Sequence, residues 1–229
     1  LRRRQRQMCI RDRYILTNIE KAKDFLLLAK HLGYSGVGVE IQYNEVSSEI
    51  LKKIIEISNL VGIDILLRLN ESEQSIYRKS PKLGYKVITS VNIESEQDFR
   101  EKLRQKNIRI LSFNFIDFAK IITKETLNII KQYPDKFIEI KIIDLLKAQK
   151  KERALALNIL HRKIKLLNSK YLRLIISTGA KSLSDLISPR CIRSFLRLIG
   201  IRDDRILDFI SENPKAIFKL PRQIIIKED

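Results

Sequence analysis

The chain has 229 residues, of which 44% are hydrophobic, with only 7 glycines and 5 prolines; this supports one domain with a large core and leaves no stretch that reads as a linker or low-complexity tract. The formal net charge is +18, which points to a polyanionic partner, either nucleic acid or an anionic membrane surface, or else to a soluble basic protein. No apolar run is long enough to cross a bilayer, and the basic start is not followed by the apolar stretch of a secretory signal.

The first thirteen residues hold six arginines against one aspartate and have no apolar period. They read as a basic RNA-binding arm or as foreign sequence, a translated adapter. The second reading is preferred and predicts an unpacked, non-native tail over residues 1–13, with a single domain over 14–229. Without the tail the charge falls from +18 to +13, so the basic character does not depend on it.

Thr17 and Glu20 form a capping box before a helical stripe of Ile19, Ala22, Leu26, Ala29 and Leu32, closed by Gly33. Residues 37–41 then suit a short strand. Ser47 or Ser48 opens a helix with Ile50, Ile54, Ile57 and Val61 on one face, ended by Gly62. Strands are predicted near 63–69 and 86–91 around a polar loop, and Ser95 caps a helix to about residue 105. A strand near 109–113, a short helix capped by Thr123, a strand near 137–142 and a long helix over 150–167 follow. A strand near 172–176 leads through Ser177-Thr178-Gly179 to Ser188, the cap of a helix with Pro189 at its first position and Gly200 at its end.

Six strands, each followed by helical material, predict an α/β fold with parallel pairing. Even spacing and the lack of a glycine-rich dinucleotide turn favour a TIM-barrel-like parallel barrel with fewer than eight strands over an open doubly wound sheet. A barrel opens on a strand, whereas the first clear element here is a helix. The opening strand is therefore expected to be missing, with residues 14–16 as its remnant.

Few residues suit catalysis. Gly33-Tyr34-Ser35-Gly36-Val37-Gly38 follows a helix and leads into a strand, the reverse of a phosphate loop. His31 and His161 fall in helices without a partner at metal-ligand spacing. Cys9 and Cys191 lack motif spacing and suit a reducing cytoplasm; no histidine is predicted near Cys191 to activate it. Candidate acids are Glu40, Asp64, Asp117 and Glu139. Glu40 and Glu139 sit inside apolar strands, where a carboxylate needs a partner such as Arg68, Lys86 or Arg173. A structural ion pair is the preferred reading over acid–base catalysis.

The basic residues are more informative. Residues 147–173 contain nine basic side chains and one acid, Glu152. On the helix after Pro189, Arg190, Arg193 and Arg197 share one face, opposite Ile192, Phe195, Leu196 and Ile199. Guanidinium groups match phosphate oxygens with a two-pronged donor geometry. With Lys181 in the preceding turn and Lys163 and Lys165 on the preceding helix, they form a candidate polyanion-binding face.

Ser177-Thr178-Gly179-Ala180, then Asp185-Leu186-Ile187-Ser188-Pro189-Arg190, Leu198-Ile199-Gly200 and Asn213-Pro214 with Ile217 resemble the ribonuclease P protein component 3 family, the archaeal counterpart of the thirty-kilodalton RNase P subunit. Gly33 to Gly38, Arg109-Ile110-Leu111-Ser112 and Glu152-Arg153-Ala154 share the likeness, which runs from about Thr17 to Phe218. The resemblance implies a TIM-barrel-like subunit of a ribozyme that removes the 5′ leader from precursor tRNA. It implies magnesium on the RNA, no cofactor or catalytic residue on the protein, and a cytoplasmic complex. Its implied partners are RNase P RNA, precursor tRNA and protein component 2, in a heterotetramer with two copies of each protein. Lys163, Lys165, Lys181, Arg190, Arg193 and Arg197 then become candidate RNA contacts. Ile187 stands where the family commonly has an arginine, and Phe113-Asn114 where it has His-Pro. The alternatives are a stand-alone metal-dependent phosphoesterase on a related barrel and a scaffold that binds no RNA.

Overall fold

A computed structural model describes residues 11–15, 21–41, 48–70 and 87–219. Among the described residues seven strands occur, with helices between all neighbours except β3 and β4: β1 (Arg11–Ile15), α1 (Ala22–Leu32), β2 (Gly36–Ile41), α2 (Ser48–Val61), β3 (Asp64–Asn70), β4 (Val87–Asn92), α3 (Glu96–Arg104) and β5 (Ile108–Phe113). There follow α4 (Phe115–Ile121), α5 (Lys124–Ile130), β6 (Phe137–Lys141), α6 (Ile142–Lys147), α7 (Lys150–Arg162), α8 (Ile164–Leu167) and β7 (Leu174–Ser177). The chain continues through α9 (Pro189–Leu198), α10 (Asp203–Leu207), a π-turn (Asp208–Glu212) and α11 (Asn213–Lys219).

All neighbouring strands pair in parallel, and their spatial order is their chain order, β1 to β7. A doubly wound sheet reverses direction at a switch point. Here no reversal occurs, so right-handed crossovers place the described connecting helices on one face, and the sheet curls with its other face inward. The expected parallel, barrel-like sheet with fewer than eight strands is what forms.

The opening strand is present rather than missing. β1 pairs with β2 from Arg11 opposite Gly36 to Ile15 opposite Glu40. Residues 11–13 therefore belong to the sheet, not to a tail. The ladder is made by main-chain groups, so a strand can form where the side chains show no apolar period. Residues 1–10, Cys9 among them, and the expectations placed on Leu16, Thr17, Ser47, Lys86 and the loop up to it lie outside the described residues.

Alternation along each strand divides the core in two. Outward residues such as Val37, Val39, Leu67, Leu111, Ile138, Ile140, Leu174 and Ile176 pack against the helices. Inward residues Leu66, Ile88, Ile110, Phe137 and Ile175 form a smaller apolar layer that also takes Ile217 of α11. That helix approaches both edge strands, β1 and β7. The two edge strands also approach each other, and α11 packs against the inward face beside them.

Sequence signals explain most helix starts. Ser95, Asn114, Thr123 and Ser188 each accept an N–H from the third residue on, which satisfies a donor the helix itself leaves open. The predicted helix over 150–167 is two, because Lys163, at φ −95° and ψ 9°, leaves helical geometry between α7 and α8.

Candidate nucleic-acid interface

Where the positive charges go decides what surface is left for a polyanion. In this architecture helices run back against the strands, so their carbonyl ends gather where the strands begin and attract cations. Several basic side chains donate to such main-chain carbonyls. Lys30 reaches Val61 at the end of α2. Lys136 reaches Gln105 and Ile108 after α3, and Lys163 reaches Ala119 and Ile122 at the end of α4. At the opposite end, where Lys147 meets Asp185 beyond β7, Arg153 holds Leu146 and Ala148 at the end of α6. Arg173 holds Pro134 while stacking on Phe137 at 4.0 Å. Arg205 holds Ser169 and Leu172 after α8, at 2.7 and 2.9 Å. Burial lowers the ammonium pKa of Lys136 and of Lys163 below its ordinary value.

The six residues expected to bind RNA fall into three groups. Lys165, Lys181 and Arg190 are exposed and have no side-chain partner among the described residues. Arg197 is held by both oxygens of Asp203, at 2.6 and 2.7 Å, and Arg193 lies 4.0 Å from the same carboxylate. That bond raises the Arg197 pKa and lowers that of Asp203. Lys163 is half-buried and committed to α4. The helix α9 is amphipathic as expected, with Ile192 and Leu196 buried. The Asp203 pairing is hidden from sequence reasoning because the chain reverses at Gly200 (φ 90°), which brings a residue six positions on back to the arginine face.

The inward face of the sheet carries a second, buried polar layer. Arg68 makes two bonds to Glu139, at 2.7 and 2.8 Å, and its Nε lies 4.0 Å from Glu40. Ser112 donates to Glu139 as well. Glu40, Arg68, Ser112 and Glu139 are all at most 5% exposed. The expected structural ion pair is thus made, with Arg68 as the partner. Beside it lies a cavity of about 30 Å³ lined by Gly38, Arg68, Glu139, Ser177 and Phe218, room for about one water. Of the other candidate acids, Asp117 accepts from the Asn114 side chain and Asp64 is exposed. His31 and His161 are exposed on α1 and α7. No group of three or more histidine, cysteine, aspartate or glutamate side chains among the described residues is placed to hold a metal ion.

The sequence matches the model of the RNase P subunit p30 family over residues 8–223. The chain belongs to that family. Its fold is similar to a chain in the cryo-EM structure of archaeal ribonuclease P with mature tRNA, at 18% identity and TM-score 0.72, over 96% of this chain and 99% of that one. It is also similar to the lactonase Lmo2620 from Listeria monocytogenes, at 12% identity and TM-score 0.56 over 94% and 96% of the two chains. The organophosphorus hydrolase from Deinococcus radiodurans follows at 13% and 0.53, over 93% of each. These likenesses show a shared barrel fold. No curated protein sequence matches the chain.

The stretch that carries the p30-family resemblance is held by its own bonds. Gly179 has φ 67°, and a Cβ there would stand 2.9 Å from Cγ of Lys141, whose stem crosses the turn. Asp185 accepts from the amides of Lys181 and Ser182, at 3.1 Å each, and pairs with Lys147 at 2.7 Å. Burial alone would raise its carboxyl pKa, but Lys147, the Lys181 amide and the Ser182 side chain hold it below the usual range. Tyr34, from the glycine-rich turn, donates to the carbonyl of Ile187 at 2.5 Å. These residues shape the end of β7 and the approach to α9, which leaves Lys181 and Arg190 exposed beside them.

Proposed function

We propose that this protein is a subunit of ribonuclease P that binds the catalytic RNA and supports removal of the 5′ leader from precursor tRNA. One observation carries the reading: a p30-family match over residues 8–223, nearly the whole chain. The fold likeness to a chain of archaeal ribonuclease P, over 96% of this chain, agrees with it. The cleavage chemistry belongs to the RNA and its magnesium, and the protein supplies positive surface and shape. Protein component 2 joins it in a heterotetramer with two copies of each, in the cytoplasm.

Lys181 and Arg190 form one RNA contact, with Lys165 on α8 as a further cation and Arg193 and Arg197 shared with Asp203. Contacts of this kind neutralise phosphates and dominate affinity without reading sequence. The test adds the protein to RNase P RNA and precursor tRNA and follows leader removal and RNA affinity across a salt series. Lys181→Ala/Arg190→Ala should weaken binding and flatten the salt slope by about 0.7–0.9 for each phosphate no longer neutralised. Lys52→Ala/Lys53→Ala on α2 should leave both unchanged. Equal losses in the two variants would mean diffuse charge instead of a defined RNA-binding face. RNA-free phosphoester turnover with Mn²⁺ would favour the phosphoesterase instead.

A further inference from the structure

Between Glu152 and Asp185 the chain contains no acidic residue. In the middle of that stretch α7 ends, α8 makes a short turn, and the chain enters β7. Arg162, Lys165, Lys170 and Tyr171 are all exposed along this bend. Tyr171 is 61% exposed, so packing does not account for a tyrosine there. From the end of α5, Lys131 places its ammonium 4.5 Å from the centre of the Tyr171 ring, and it is tethered by a 3.0 Å bond to Asn128.

The nearby acids are already engaged. Asp203 and Asp204 hold Arg197 and Arg202, Asp135 holds Arg109, and Glu125 lies at the opposite end of α5. The bend is therefore an exposed ring with one ammonium against it and three exposed cations in the same stretch of chain, none of the four in an ion pair among the described residues. It leads into the start of β7, whereas Lys181 and Arg190 follow the end of that strand. Such a pairing of an exposed ring with a cationic track suits a single-stranded nucleic acid, whose bases stack on the ring while its phosphates meet the cations. A duplex offers only the phosphates, because its bases are already stacked.

We propose that Tyr171, with Lys131, Lys165 and Lys170, is a stacking site for an unpaired nucleotide of a single-stranded RNA segment. The inference rests on the RNA-binding reading above and specifies a surface that reading leaves open. Arg162 extends the cationic track on the α7 side. Lys131 holds the ring from one side and leaves the open part of it for the base.

The chain contains no tryptophan, so Tyr171→Trp introduces a single indole at the site while keeping a flat ring. The probes are a short oligouridylate, which has unpaired bases, and a blunt duplex RNA of the same length. Oligouridylate should quench the emission of the introduced indole and the duplex should not. Tyr171→Leu should weaken oligouridylate binding about fivefold or more at constant salt, with its salt slope and its thermal midpoint unchanged. Lys165→Ala/Lys170→Ala should lower the slope by about 0.7 for each phosphate released. Oligouridylate binding seen by anisotropy without quenching, and undiminished by Tyr171→Leu, would overturn the stacking site while leaving the RNA-binding reading intact. Wild-type protein that binds neither probe nor RNase P RNA would overturn both. Loss of component 2 binding in Tyr171→Leu, with RNA affinity unchanged, would reassign the ring to a protein contact.

Discussion

The polar layer inside the barrel and the bend at residues 162–171 use cations in opposite ways. Inside, one guanidinium faces two carboxylates, and Arg68, Glu139 and Ser112 are bound together at 5% exposure or less. At the bend, Arg162, Lys165 and Lys170 stand in solvent with no acid in the surrounding chain. The helix-capping lysines and arginines lie between these extremes, because their charges rest on carbonyls. The difference teaches that net charge alone does not measure a polyanion-binding surface. What matters is which cations lack an internal acceptor.

The comparison breaks most sharply at Arg68. Arg68→Ala should destabilise the fold by about 3–5 kcal/mol, because it strands Glu139 in the interior without its partner. Urea unfolding measures this, and a loss below about 1 kcal/mol would mean that the layer is wetter than its burial indicates. A second test sets two neighbours against each other. Lys163→Met removes the bonds to Ala119 and Ile122 and should cost about 1.5–3 kcal/mol, with the salt dependence of RNA binding unchanged. Lys165→Ala, two residues on, should leave the unfolding midpoint in place. If both variants lowered the salt slope equally, the division between capping and available cations would not hold. The smallest effect is expected where a lysine acts through its carbon stem. Gly179→Ala should cost about 1–2 kcal/mol, from the positive φ and the approach of Lys141. Adding Lys141→Ala should recover only the part that comes from Cγ and Cδ, because the Cβ at 3.0 Å remains, as a thermal-midpoint cycle would show.

Much of the fold is legible in the sequence because local and global signals agree. Six strands, the capping residues Ser95, Thr123 and Ser188, and the glycine closing α1 stand near where pattern places them. β1 escapes pattern reading because its pairing lies in the backbone, while its side chains read as a charged tail. α4 is absent from the predicted elements, although Asn114 followed by Asp117 three residues later is a cap signal. The interior ion pair can be anticipated from carboxylates set in apolar strands. The division of the basic residues cannot. A lysine on a helix looks the same in sequence whether it meets water, as Lys165 does, or the end of a neighbouring helix, as Lys163 does. The same holds for Arg197, whose partner comes from beyond a reversal of the chain. Tyr171 carries no periodic signal, since it lies in the turn that leads into β7.

The helix α11 has a consequence for the order of events as the chain is made. It places Ile217 in the same inner layer as Leu66, Ile88, Ile110, Phe137 and Ile175, and it approaches both β1 and β7. Each strand can join its predecessor as soon as it leaves the ribosome, since every pairing is with the neighbour in sequence. The inner layer, however, lacks Ile217 and the helix that carries it until the last described element emerges. Nascent chains thus carry a growing sheet with a wet apolar groove, a form exposed to chance association. Closure joins parts of the chain about two hundred residues apart, so it is the step with the greatest loop entropy to overcome and the one expected to come last.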